Sequence, residues 1–145
     1  MKMREKTDLI VVHCAATPSN MDIGADEIRR WHKEKGWLDI GYHYVIRRNG
    51  KIEEGRHVLA QGAHVRGYND HSVGICLVGG VDANNKRKAK DNFTVDQWIS
   101  LGWLLAAMHG MFPDAKIVGH RDLDPHKACP SFDVKERLAG ILRLV

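Results

Sequence analysis

Apolar positions along the chain recur with two different periods. Leu9-Ile10-Val11-Val12 is a short continuous apolar run that ends on His13, and Val73 to Val78 is a second run of strand length; such runs suit strands buried on both faces of a sheet. Between them, Ala25 to Lys35 places Ile28, Trp31 and His32 on one helical face and stops at Gly36, a residue suited to the left-handed position after a helix. Tyr42 to Arg48 and Lys51 to Glu54 read as two strands joined by Asn49-Gly50, a pair that predicts a hairpin with a type I′ turn. Thr94 and Gln97 form a T-x-x-Q capping box, and Trp98, Leu101, Leu105 and Met108 follow at helical spacing as a core stripe. Lys116 to Val118 predicts a short strand that delivers His120, and Asp133 with Glu136 opens a last helix whose Val134, Leu138, Ile141 and Leu142 face inward. Strands and helices interspersed around one hairpin predict an α/β fold: a single domain over residues 1–145, with a central mixed β-sheet flanked by α-helices.

The bulk numbers narrow the class. A chain of 145 residues, 43% hydrophobic and 28% charged, is the size of one domain with a real core. Its 22 basic and 18 acidic residues leave +4, a mild excess that favours anionic surfaces without choosing among them. Lys86-Arg87-Lys88-Ala89-Lys90 has no interleaved aromatics and reads as a solvated loop, and no recognised nucleic-acid motif accompanies the charge, so no direct nucleic-acid partner is expected. Three cysteines make no disulfide framework and fit a reducing compartment, with Cys14 and Cys76 read as small buried hydrophobes. No apolar stretch reaches membrane-spanning length and Met1 to Lys6 has no signal-peptide core, so the expectation is a protein without a membrane partner, made in the cytoplasm and released by another agent.

Candidate chemistry lies in His13, His120 and Cys129, each placed at a strand end or in the loop beyond one. Two neutral imidazoles and a thiolate suit Zn²⁺, and three protein ligands leave a fourth tetrahedral position open, as catalytic sites do. Spacing alone does not establish this: there is no CxxC pair and no HExxH helix, and a histidine at a strand end is commonly an ordinary polar residue.

Four ordered segments carry a resemblance. Val12-His13-Cys14-Ala15-Ala16-Thr17, Gly36 to Tyr44 (GWLDIGYHY), Gly67 to Ile75 (GYNDHSVGI) and Lys127 to Asp133 (KACPSFD) together resemble type 2 N-acetylmuramoyl-L-alanine amidases, which share the fold of peptidoglycan recognition proteins, and in particular the phage lysozymes that act as amidases. The resemblance implies zinc ligands at His13, His120 and Cys129, a catalytic tyrosine at Tyr42 and a catalytic lysine at Lys127. Some branches use a glutamate in the central strand; here Cys76 stands at that position, which leaves Tyr42 as the proton-handling group. The implied reaction is hydrolysis of the amide between N-acetylmuramic acid and L-alanine in peptidoglycan by a phage or prophage endolysin, stored in the cytoplasm until it reaches the periplasm or cell wall. Nearby Zn²⁺ and the Lys127 ammonium are expected to favour the ionised phenol of Tyr42. Without the resemblance, Tyr42 reads as an aromatic at a strand start and Lys127 as a solvated loop residue.

His64 and Asn69 precede the central strand in a segment the family places by the substrate groove, which makes them candidate substrate contacts; the alternative is polar loop residues with local hydrogen bonds. Gly36-Trp37 resembles a pair that accompanies binding of meso-diaminopimelate-type peptides in recognition relatives, and Trp37 can equally be core. Two rival functions follow from the same resemblance: a non-catalytic peptidoglycan-binding module, against which Cys129 speaks, and an added role as inhibitor of a phage RNA polymerase, for which the short basic N-terminal segment and the mild positive charge are the only support. A monomer is expected.

Overall fold

The computed structural model describes residues 1–141. Five strands form one sheet in the order β3-β2-β4-β1-β5. Strands β1 (Leu9–Cys14), β2 (Tyr44–Ile46), β4 (Ser72–Leu77) and β5 (Lys116–Gly119) run parallel, while β3 (Ile52–Glu54) is antiparallel to β2. The mixed sheet expected from the pattern is therefore present. Its centre is the β1–β4 pair, in register from Leu9 opposite Ser72 to Cys14 opposite Leu77, and both strands are buried on both faces, which is why their sequences are apolar without alternation.

Side chains of β1 alternate between two layers. Ile10 and Val12 join Val73, Ile75 and Leu77 against Leu101, Leu105 and Met108 of α2 (Val95–Met111) and Val134 and Leu138 of α4 (Val134–Ile141). On the other face, Ile28 of α1 (Ala25–Glu34) packs with Ile40, Val45 and Cys76. His13 shares this second face, opposite Cys76 in the neighbouring strand. The expected side-chain positions of α2 and of Val134 and Leu138 are realised; Leu142 lies outside the described residues, as does the side chain of Ile141.

Caps follow the sequence closely at α2. Thr94 Oγ1 accepts the Gln97 N–H at 3.1 Å and Gln97 Oε1 accepts the Thr94 N–H at 3.0 Å. Gln97 does more than cap: fully buried, its amide donates to the carbonyls of Ile46 and Val78 and ties the helix to the sheet. Lys35 caps α1 and Gly36 follows with φ +90°, the left-handed residue expected there.

The hairpin differs from expectation. Strand β2 spans only Tyr44–Ile46, and Arg47 and Lys51 close a three-residue connection, Arg48-Asn49-Gly50, through an Arg47 N–H to Lys51 carbonyl bond of 2.9 Å. Only Gly50 has positive φ, +87°, so the turn is the three-residue form ending in a left-handed glycine rather than type I′. Arg48 is pulled into this shape by long-range bonds, donating to the Asn92 and Val78 carbonyls, a constraint invisible to the local dipeptide. The basic segment Lys86 to Lys90 is an exposed loop, as expected.

His43 enters β2 wholly buried, its Nε2–H donating to the Ala60 carbonyl at 2.7 Å and its Nδ1 accepting the Gly74 N–H at 2.9 Å. Burial lowers its pKa from 6.5 to about 4. Between these values the unfolded chain binds a proton that the folded chain refuses, so the stability His43 contributes is present above pH 6.5 and is lost as pH falls towards 4. That difference corresponds to about 3 kcal/mol. Urea unfolding at pH 7 and pH 4.5 is expected to show a clear drop in midpoint, smaller in His43→Gln.

Candidate metal centre and active-site cleft

The parallel strands end on one side of the sheet, the usual place for a ligand site in an open α/β layer. There β1 presents His13, one residue before its end, and β5 hands over to the single-turn helix α3 (His120–Leu123), whose first residue is His120. The short helix was not anticipated from the pattern. The loop after it folds back: the Arg121 N–H donates to the Cys129 carbonyl at 2.8 Å, which returns Cys129 to the strand ends. The Cys129-Pro130 peptide is cis and Ser131 has φ +76°; the Ser131 hydroxyl donates to the Gly80 carbonyl at 2.8 Å, anchoring the loop beyond the sulfur.

Residues 107 and more positions apart thus meet. One ligand atom from each of His13, His120 and Cys129 lies within 4.8 Å of the others. The His13 and His120 rings are 4.7 Å apart, and His13 Nδ1 is 3.8 Å from Cys129 Sγ. A nitrogen and a sulfur on one tetrahedral zinc stand about 3.6 Å apart, given usual bond lengths, so the donor set and its spacing fit that ion. Cys129 Sγ also accepts the Cys14 N–H at 3.1 Å, a bond that by itself lowers the thiol pKa but is outweighed by the neighbouring Cys14 thiol and by burial.

Electrostatics at the cluster favour neutral imidazoles. Burial, with the neighbouring rings of His64, His120 and His43, holds the His13 pKa well below 6.5, and burial with the Lys127 charge lowers that of His120. Neutral rings are what a metal requires. Cys14 and Cys129 share a hydrogen bond between thiols that lowers Cys14 to about 7 and raises Cys129. Cys14 is therefore more than buried filling; it lies on the wall of the site.

In front of the trio opens a cleft of about 370 Å³ lined by Cys14, Tyr42, His120, Lys127 and Cys129 and, across from them, by Ile28, Trp31, His32 and Lys35 of the α1 region. Tyr42 lies just before β2, its ring 5.1 Å from that of His13. Burial and the thiols of Cys76, Cys129 and Cys14 push its phenol well above its ordinary range. The protein's own side chains thus favour the neutral phenol, whereas the ionised form expected from sequence depends on the added charge of a bound Zn²⁺. Lys127 is exposed at the cleft and its N–H donates to the Asp124 carbonyl at 3.0 Å.

The three candidate substrate contacts are placed differently. His64 does not line the cleft; its ring stands behind His13, with Nδ1 2.8 Å from His13 Nε2. Asn69 turns inward, its Oδ1 accepting the N–H groups of His64 and Val65 at 2.9 and 3.0 Å. Both follow the local-bonding alternative. Trp37, 39% exposed, is likewise not among the residues that line the cleft, but its ring lies tilted 4.4 Å from that of the lining residue His32, with the Lys35 ammonium 5.6 Å from its centroid. His32 itself was read only as a helix-face residue. Its Nδ1 accepts the Gly41 N–H at 2.9 Å, which leaves the proton of the neutral ring on Nε2 as a donor; burial, with Lys35 and Arg56, holds its pKa at about 4. Nothing in local spacing marks His32 or Lys35 as cleft residues, because α1 joins the site only through packing on the sheet.

Comparison with known proteins gives the family and the fold. The profile of the N-acetylmuramoyl-L-alanine amidase family matches residues 3–132. An endolysin of Enterobacteria phage K11 is 53% identical over 132 residues, covering 91% of this chain and 85% of the relative, and an endolysin of Escherichia phage T7 is 50% identical over 134 residues, covering 92% and 87%. Among solved structures, the N-acetylmuramoyl-L-alanine amidase LysC from Clostridium intestinale superposes with a TM-score of 0.79 at 28% identity, covering 94% of this chain and 85% of that one. With family profile, sequence and fold in agreement, this chain belongs to the N-acetylmuramoyl-L-alanine amidase family.

Proposed function

We propose that the protein is a zinc-dependent amidase that hydrolyses the bond between the lactyl carbonyl of N-acetylmuramic acid and the first L-alanine of the peptidoglycan stem, acting as a phage or prophage endolysin. The observation that carries this reading is the convergence of His13, His120 and Cys129 at the end of a cleft that also holds Tyr42 and Lys127. Those three side chains would hold the ion, which when bound supplies Lewis-acid activation of water and of the carbonyl.

The remaining chemistry belongs to the chain. The Lys127 ammonium, on a residue that lines the cleft, would stabilise negative charge developing on the carbonyl oxygen, and a fixed cation does so more effectively where water is partly excluded. Tyr42, as a neutral phenol, orients the attacking water through its hydroxyl and passes a proton towards the departing amine. Cys76, in the central strand where a glutamate would otherwise serve, lies beside the Tyr42 hydroxyl and is itself raised well above the thiol range by burial, so it offers no base. Proton handling therefore falls to Tyr42. Trp37, beside the lining residues His32 and Lys35, would receive the stem peptide with them; a Lys35 ammonium facing the cleft suits the carboxylates of a meso-diaminopimelate-type stem.

Purified protein incubated with a defined muropeptide is expected to release free stem peptide with a new α-amino group on alanine, detected by mass spectrometry. A chelator should abolish release and added zinc restore it. Binding of the muropeptide without any product under zinc-replete conditions would replace this reading with that of a non-catalytic binding module.

A further inference from the structure

Behind the candidate metal centre runs a chain of hydrogen bonds whose direction is set at its far end. The Tyr68 carbonyl can only accept, and Ser72 Oγ lies 2.7 Å from it, so the single hydroxyl proton of Ser72 is committed there. The Ser72 oxygen then faces His64 Nε2 at 3.2 Å with lone pairs alone, which obliges His64 to donate from Nε2. A neutral imidazole carries one N–H, so His64 Nδ1 is bare and accepts. Its partner at 2.8 Å is His13 Nε2, which must carry the proton. His13 Nδ1 is left with a free lone pair, and this is the atom that faces Cys129 Sγ.

We propose that His64 is a positioning residue: the Tyr68 carbonyl, Ser72 and His64 together hold His13 in the Nε2–H tautomer, so that Nδ1 is presented ready to bind the cation. The inference rests on the metal-centre reading above and adds to it the device that orders one ligand in advance. A buried partner of this kind fixes both the tautomer and the ring plane of a ligating histidine.

The backbone is shaped to seat the His64 ring. A Cβ on Gly74, in the central strand, would lie 2.6 Å from His64 Cγ, and one on Gly62 would lie 2.7 Å from its Cδ2. Asn69 clamps the backbone on either side of the His64–Val65 peptide through its Oδ1. With both ring nitrogens engaged inside the protein, His64 has no donor or acceptor left for substrate, which is the physical reason it is not a groove contact.

Two measurements test this. In metal-free parent protein labelled with ¹⁵N-histidine, His13 should show a protonated Nε2 and an unprotonated Nδ1; a proton on Nδ1 would overturn the proposal without recourse to any variant. Zinc affinity, read by competition with a chromogenic chelator, should fall about 10- to 100-fold in His64→Leu and stay near the parent value in His64→Gln, whose amide can both accept from His13 and donate to Ser72. Gly74→Ala, which keeps His64 but crowds its ring, should also weaken zinc. A folded His64→Leu protein with parental affinity would sink the idea. If the parent itself takes up no zinc, the metal-centre reading fails instead, while the tautomer assignment in the metal-free protein still stands or falls on the nitrogen spectra.

Discussion

Cys129→Ser is expected to lose both bound zinc and hydrolysis. A serine hydroxyl at neutral pH is protonated and a poor ligand, whereas a thiolate compensates part of the ion's charge and forms a bond of about 2.3 Å. Removing a direct ligand should exceed the 10- to 100-fold penalty typical of outer partners, so zinc affinity is expected to fall by more than about 100-fold. Metal analysis after dialysis, together with release of stem peptide from a muropeptide, reads both quantities. The fold should survive, because the Cys129 backbone bond to Arg121 and the Ser131 bond to Gly80 do not involve the sulfur. A Cys129→Ser protein that keeps stoichiometric zinc and parental turnover would remove the metal centre from the proposed function.

Lys127→Ala and Tyr42→Phe should separate chemistry from metal binding. Neither residue belongs to the converging trio, so zinc content should stay at the parental level. Loss of the Lys127 ammonium removes charge stabilisation and is expected to cost on the order of 10²–10³ in kcat. Loss of the Tyr42 hydroxyl removes a positioned proton donor, with an expected cost of about 10²–10⁴. Lys127 is exposed and its substitution should leave thermal stability unchanged. Tyr42 packs near His13 and His32, and the phenylalanine ring preserves those contacts. If Lys127→Ala turned over muropeptide at the parental rate with zinc retained, its role in the reaction would be lost.

Much of the scaffold was legible because its signals are local. Leu9 to Val12 and Val73 to Leu77 are apolar without alternation because both strands are covered on both faces, and the Thr94–Gln97 box starts α2 by bonds within four residues. The hairpin turn was misread for the same reason in reverse. Asn49-Gly50 suits type I′ locally, yet Arg48 is held by Asn92 and Val78, contacts 44 and 30 residues away, and the loop takes its three-residue form.

Sequence by itself determined most element types, the mixed α/β class and, through four ordered motifs, the family, and it named the trio, the tyrosine and the lysine on which the proposed function rests. What it could not determine is which polar side chains look into the cleft and which look away. His64 turns inward because Gly74 and Gly62 clear room for its ring and Ser72 receives its proton, and Asn69 turns inward to accept the His64 and Val65 N–H groups. His32 and Lys35 reach the cleft because α1 docks on the sheet face that carries His13. Tyr42 is favoured as a neutral phenol because burial and three thiols surround it. Hydrogen-bond direction, burial and the facing of a side chain are properties of neighbours brought together from distant segments, and only the folded chain supplies them.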